Sequence, residues 1–308
     1  MVLAVNPLTL EPRSCPLCGP TGRPAPFLPA KLQLDALDAF AFASRKPPEY
    51  MHYQLVRCCS CDLVYADPAP ASAALAEAYE EAAFDSQEEA RLASHTYGRL
   101  VDKITARLPN RTGALDIGTG DGSFLRELDR RGFTRISGIE PSAAPIEHAH
   151  PRIRALIRHG VFGPELCEPA SLSLVTCFQT IEHLSDPIAV CRQAVQMLRP
   201  GGALLLVAHN RRALSARVLQ DRSPIYDIEH LQLFSPSSAR TLLRRVGLVD
   251  ITARPIVNRY PVSYWTRLFP LPPLAKGRLT ARLGQRPLGR VLIPLPAGNM
   301  AVFGFRPT

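Results

Sequence analysis

The sequence predicts an α/β chain built on an open, mostly parallel sheet, with a small cysteine-bearing segment at its N-terminal end. Three observations predict it. Residues 115–125, LDIGTGDGSFL, run from a buried strand through a tight glycine turn into the first turn of a helix. Short apolar runs recur at 172–178 and 203–208 with a helical pattern between them, which is the alternation of βαβ units. Five of the eight cysteines fall within the first 61 residues, at metal-type spacing. With 308 residues, 46% of them hydrophobic, the chain can bury one large core and a smaller appendage.

At the N-terminal end, Cys15-Pro-Leu-Cys18 and Cys58-Cys59-Ser60-Cys61 are CxxC turns with 39 residues between them. Each sets two thiolates side by side, and two such turns complete a tetrahedral zinc shell with no open position for water. Residues 1–70 are therefore predicted to hold structural Zn2+ through Cys15, Cys18, Cys58 and Cys61, with Cys59 a substitute ligand; reduced thiol turns without metal are the alternative. The intervening loop, including residues 45–50, is a candidate edge of a substrate mouth. Cys167, Cys177 and Cys191 read as small buried hydrophobes. Residues 71–82 are alanine-rich and predicted helical, and Leu92, Tyr97, Leu100, Ile104 and Leu108 recur at helical spacing over 87–108. Residues 71–112 are thus predicted to be a largely helical segment that carries His95 and Tyr97.

The main domain is predicted over 113–254 plus 300–308. Its glycines Gly118, Gly120 and Gly122 stand at every second position, where a backbone can bend sharply and lie directly against a ligand. Asp116 and Asp121 would repel a pyrophosphate but not a cation, and GxGxG lacks the GxGxxG spacing of dinucleotide binders. A helix over 123–131 ends at Gly132, and a strand over 135–139 finishes at Glu140, placed to accept both ribose hydroxyls of an adenosine. A third strand is predicted over 153–157 and a fourth over 172–178. Asp186 caps a helix with Pro187 in its first turn, and Pro200, Gly201 and Gly202 stop it before a fifth strand over 203–208. A helix from Ser235 to Val246 and a strand over 247–254 follow, with a last strand over 300–305. Between these two strands lies an insertion, residues 255–299, aromatic in its first half and basic in its second. It reads as a lid or helical hairpin, with an element lying on a membrane surface as the alternative.

LDIGTGDG, GIEPS (138–142), QTIEHLSDP (179–187) and LRPGGALLLVAHN (198–210), in that order, resemble the class I S-adenosylmethionine-dependent methyltransferases. The resemblance implies a Rossmann-like sheet of seven strands, the last antiparallel between the fifth and sixth, and S-adenosylmethionine as cofactor. It implies further that Asp116, Gly118, Gly120 and Gly122 surround the methionine part, that Glu140 holds the ribose, that Phe178 and Gln179 line the other side, and that the helices of 71–112 fold over the cofactor, where His95 and Tyr97 either reach the site or pack elsewhere. Ser173 departs from the Asp usual at its place. More loosely, four-cysteine segments of this kind precede the catalytic domain in some methyltransferases acting on sugars and on cell-surface or secondary metabolites.

Methyl transfer from a sulfonium is an in-line displacement, to which a protein contributes alignment and exclusion of water. A hydroxyl acceptor also needs a base, and His183 and His230 are the candidates because imidazole titrates near neutral pH; the alternative is that each fixes a loop. Related quinone-pathway enzymes carry an acid where Gln179 stands, completing a metal-binding ExxEH, so no catalytic divalent ion is expected here. QTIEHL is not the Asn- or Asp-Pro-Pro-aromatic motif of amino-methylating enzymes, and Cys177 lies inside its strand rather than in a Pro-Cys turn. The reading is O-methylation of a small-metabolite or glycan hydroxyl, with sugar C-methylation next. The competing class is a zinc-knuckle RNA- or protein-binding module on an inactive scaffold, against which the intact Asp116, glycines and Glu140 argue.

The net charge of +9 lies entirely beyond residue 250, where there are nine Lys or Arg and no Asp or Glu. Such a tail attracts an anionic membrane surface or a phosphate-bearing substrate, with an unspecific solvated face as the alternative; nucleic acid fits the motifs poorly. The first residues, MVLAVNPLTLEPRSC, show no basic leader followed by a long apolar run, and the longest apolar stretch is too short to span a bilayer, so the expectation is a cytoplasmic protein.

Overall fold

The computed structural model describes residues 9–33, 41–43, 48–269, 271 and 273–308. The chain begins with β1 (Leu10–Glu11), β2 (Pro24–Leu28), β3 (Leu55–Cys58), β4 (Val64–Ala66) and β5 (Ala69–Pro70), then α1 (Ser72–Glu80) and α2 (Gln87–Asp102). The central part runs β6 (Thr112–Ile117), α3 (Ser123–Arg130), β7 (Thr134–Glu140), α4 (Ala143–Glu147), α5 (Pro151–Arg154), β8 (Ile157–His159), β9 (Leu172–Phe178), α6 (Pro187–Met197) and β10 (Leu198–His209). It continues with α7 (Leu214–Leu219), β11 (Gln232–Leu233), α8 (Pro236–Arg245) and β12 (Val249–Pro255). Last come β13 (Asn258–Pro261), α9 (Val262–Leu268), α10 (Pro273–Gly284), β14 (Leu292–Leu295) and β15 (Asn299–Phe305).

The seven-stranded sheet has the order β12-β15-β10-β9-β6-β7-β8. Its strands are parallel except β15, which runs antiparallel to both β10 and β12, as the resemblance implied. All seven residues of β9 are buried, because elements cover both faces of the sheet; this is why the strand reads as a continuous apolar run. Asp186 accepts from the Ala189 amide to start α6, and Ser235 and Ser238 form a reciprocal capping box at α8, both with proline in the first turn.

The structure corrects four boundaries. Residues 151–154 are helical rather than a strand: Pro151 opens α5, and Ile153 turns its side chain toward the glycine turn at Gly122, so β8 starts only at Ile157. The helix predicted over 87–108 stops at Asp102 and gives way to a short 3-10 turn over Thr105–Arg107. Pro200, Gly201 and Gly202 do not stop α6, which ends at Met197; they form a bulge inside β10, with Gly201 at φ 75°. The insertion is more than a helical hairpin, since β13 and β14 pair as an antiparallel ribbon beside α9 and α10. Pro270 and Pro272 of its aromatic half, like Arg45, Lys46 and Pro47 of the N-terminal loop, lie outside the described residues.

The cysteine segment is not free-standing. β11 joins β4, β3 and β2 in a second sheet, and Cys15, Leu17, Leu63 and Tyr65 share one core with Leu115, Ile117 and Val175 of the main sheet. Tyr260, Tyr264 and Trp265 of the insertion close the core on the opposite face, with α2 and α3. Among the described residues, no helix is long and apolar enough to cross a membrane.

Candidate active site

A cavity of about 430 Å³ opens at the C-terminal ends of β6, β7, β9 and β10, the end of an open α/β sheet where ligands bind. The glycine turn forms one wall. Gly118 and Gly120 have φ of 70° and 58°, a region that disfavours any side chain. A Cβ on Gly118 would collide with Thr180, whereas a Cβ on Gly120 would meet nothing within 4 Å and would enter open space. Gly120 donates its amide to Glu140 Oε2 (2.8 Å) and Ser142 donates to Glu140 Oε1 (3.1 Å). Burial pushes the Glu140 carboxyl up and these two bonds draw it back; each oxygen keeps a lone pair for a ligand hydroxyl. Asp116 is buried and accepts from Thr176 Oγ1 at 2.6 Å. Asp121 accepts from the Ser123 amide and hydroxyl, which settles its charge at the start of α3.

Asp116, Gly118, Gly120, Glu140, Phe178 and Gln179 all line the cavity. Gly122 does not: at φ 68° it turns the chain into α3, and a Cβ there would collide with Ile153. Tyr97 also lines the cavity, its ring 4.4 Å from that of Phe178. His95 turns away and pairs with Glu127 at 3.0 Å. Thr119 Oγ1 and Gln179 Nε2 are buried on this wall with no hydrogen-bond partner among the described residues, so a polar ligand fits here.

The opposite wall is histidine-rich. The rings of His183, His230 and His209 cluster there, His230 lying 5.1 Å from His183 at 47° between the planes and 4.9 Å from His209 at 69°. His230 Nδ1 lies 2.9 Å from Ile225 O and His183 Nδ1 lies 3.0 Å from Glu229 O. A carbonyl only accepts, so the network assigns the proton to Nδ1 in both rings and leaves Nε2 as the basic nitrogen. Glu229 stands between them, Oε1 at 3.7 Å from His230 Nε2 and Oε2 at 3.9 Å from His183 Nδ1. Tyr79 donates to Glu229 O (3.1 Å), and burial with the Glu229 charge holds its hydroxyl well above the usual phenol range. Burial depresses His209 to about 4, so it packs as a neutral ring. Behind the wall, Glu182 Oε1 accepts from the His209 amide (2.6 Å), Oε2 has no partner among the described residues, and burial pushes the carboxyl up to about 7.

The structure thus brings His183 and His230 together, and adds to them Tyr79, His209 and Glu229. Glu229 returns to the His183 side a carboxylate of the kind that Gln179 does not supply, and the ligand-type atoms of His183, Glu229 and His230 lie within 4.8 Å of one another. Asn258, Tyr260, Tyr264 and Trp265 complete the wall from the insertion. No Lys or Arg is among the described residues that line the cavity.

In the N-terminal segment the sulfurs of Cys15, Cys18, Cys58 and Cys61 lie within 4.8 Å of one another. A hydrogen bond from Cys61, with the Cys18 and Leu17 amides, lowers the Cys15 thiol while Cys61 itself is pushed up, and four sulfurs converging on one point are the donor set of a thiophilic cation. Cys59 is exposed and stands outside the cluster, which removes it as a substitute ligand.

A family described as a methyltransferase domain matches residues 62–253. The curated ubiquinone biosynthesis O-methyltransferase of Paracidovorax citrulli is 25% identical over 175 residues, 48% of this chain and 70% of that protein. Its counterpart in Serratia proteamaculans is 25% identical over 169 residues, 48% of this chain and 69% of that protein. Among solved structures, a SAM-dependent methyltransferase of Archaeoglobus fulgidus is similar at 14% identity and TM-score 0.48, over 71% of this chain and 97% of that one. The Haemonchus contortus phosphoethanolamine N-methyltransferase 2, in complex with S-adenosyl-L-methionine, is similar at 16% identity and TM-score 0.43, over 69% and 52%.

Proposed function

This chain belongs to the methyltransferase domain family and is S-adenosylmethionine-dependent, and from that premise we propose that it methylates a hydroxyl of a small metabolite or glycan. The observation that carries the reading is the adjacent His183 and His230 pair, each with Nδ1 tied to a carbonyl, facing the cavity that the glycine turn also lines. The O-methyltransferase relatives support the same acceptor atom.

When bound, S-adenosylmethionine supplies an electrophilic methyl group. Asp116, Gly118 and Gly120 hold its methionine end, Gly122 shapes the turn behind them, Glu140 accepts the ribose hydroxyls, and Phe178 and Gln179 line the remaining side. His230 Nε2 takes the acceptor's proton, and Glu229, 3.7 Å away, steadies the imidazolium; His183 shares that carboxylate and orients the acceptor. Tyr260, Tyr264 and Trp265 exclude water. The insertion carries seven Lys or Arg and no Asp or Glu, and Leu288, Val291, Leu292, Ile293 and Leu295 are exposed on it, which supports contact with an anionic membrane surface.

S-adenosylhomocysteine is expected to raise the melting temperature and single-stranded RNA to leave it unchanged; the reverse result would remove the enzyme reading. Tritiated donor with panels of phenols and glycans then identifies the acceptor. Zn2+ held by Cys15, Cys18, Cys58 and Cys61 staples the N-terminal segment; metal analysis should find one equivalent, lost in Cys18→Ser.

A further inference from the structure

Arg13 lies two residues before Cys15 and reaches across the second sheet. Its Nη1 donates to Leu231 O (3.0 Å), and its Nη2 to Ser185 O (2.7 Å) and Gln232 Oε1 (2.7 Å). Gln232, wholly buried on β11, donates Nε2 to Ile181 O (2.7 Å) and Leu184 O (2.9 Å). The carboxamide can sit only one way round: reversed, it would set its NH2 against the guanidinium and its oxygen against two carbonyls. The Leu231 and Gln232 amides both donate to Glu182 O, at 3.0 and 3.2 Å. Ile181 and Leu184 bracket His183, and Leu231 follows His230.

We propose that Arg13 and Gln232 are positioning residues for methyl transfer: a clasp that fixes the His183 loop against the His230 loop from the side of the cysteine segment. The clasp touches neither cofactor nor acceptor and rests on the reading of the two histidines given above. Arg13 is held in place by β4 and β5 through its own amide, which donates to Asp67 Oδ1 (2.9 Å), and by the knuckle that follows it. Its fork binds three oxygens on two loops at once, which a lysine ammonium on a flexible stem cannot reproduce.

The test reads the imidazoles directly, by nitrogen-15 resonance of histidine-labelled protein saturated with S-adenosylhomocysteine, with His183→Ala and His230→Ala assigning the signals. Arg13→Ala and Gln232→Ala should bind S-adenosylhomocysteine within about threefold of wild type, less than the tenfold that 1.4 kcal/mol brings. Both should shift the His183 and His230 signals from the Nδ1–H form toward the mixture of a free imidazole. Arg13→Lys should behave like Arg13→Ala, and a wild-type spectrum with lysine would overturn the fork. Should the alanine variants fail to fold, Gln232→Glu keeps its pairing with Arg13 but releases Ile181 and Leu184, and should shift the His183 signal. Unchanged spectra in the folded variants overturn the clasp. This outcome is separable from failure of the base assignment, which appears as full turnover in His183→Ala and His230→Ala while the spectra still judge Arg13 and Gln232.

Discussion

The two walls of the cavity are assembled in opposite ways. On the cofactor side, the contacts of the glycine turn are near in sequence: Glu140 meets Gly120 across 20 residues and Asp121 meets Ser123 across two, all within one βαβ unit, while Asp116 reaches Thr176 on β9 across 60. On the acceptor side, Tyr79 reaches His183 across 104 residues and Glu229 across 150. The glycine-turn grip of the first wall forms with its own strand–turn–helix; the second wall exists only once distant segments have closed on one another. A local grip on a constant ligand therefore coexists with a composite wall that loop changes can respecify without touching that grip.

Separating the two walls experimentally sharpens this contrast, and the largest effect is expected at the histidines. His230→Ala should slow transfer on the order of 10²- to 10⁴-fold, the range of general base catalysis, while calorimetry finds S-adenosylhomocysteine affinity unchanged. Equal loss of both would mean that the walls act as one unit.

Glu182 comes next, behind the acceptor wall. Its folded pKa, pushed up to about 7, exceeds the ordinary carboxyl value near 4.3, so its contribution to stability is complete below the latter and lost as pH rises through the former. Glu182→Gln should flatten that fall and leave the protein more stable than wild type at pH 8, by on the order of 3 kcal/mol, measured by urea unfolding at pH 4.5 and 8. A wild-type slope retained in the variant would assign the titration to another group.

Within the cofactor wall the smallest effects should divide two glycines. Each alanine accepts a left-handed backbone at a cost of about 1–2 kcal/mol. Gly120→Ala should fold and weaken S-adenosylhomocysteine binding, because its Cβ enters the cavity, whereas Gly122→Ala should lower the melting temperature by colliding with Ile153.

The same contrast explains what could be read from the chain alone. Asp116, the glycines, Glu140 and the antiparallel last strand are legible because their signals are contiguous or carried by ordered motifs. Tyr79 lies in an alanine-rich helix with nothing to mark it, and His209 looks like the end of a buried strand; only the fold turns them toward His183 and His230. Residues 153–157 misled because Ile153 is apolar for packing against a glycine turn rather than for pairing in a sheet. The insertion misled because Pro261 and Pro294, poor guests in a central strand, sit in a two-stranded ribbon where each has only one neighbour.

Because β11 borrows its neighbour from the first quarter of the chain, the frontiers suggested by likeness are poor places to cut. A piece spanning residues 62–253 would part β4 from β3 and β10 from β15. Both sheets would then present raw hydrogen-bonding margins, an invitation to self-association in any trimmed version made for expression.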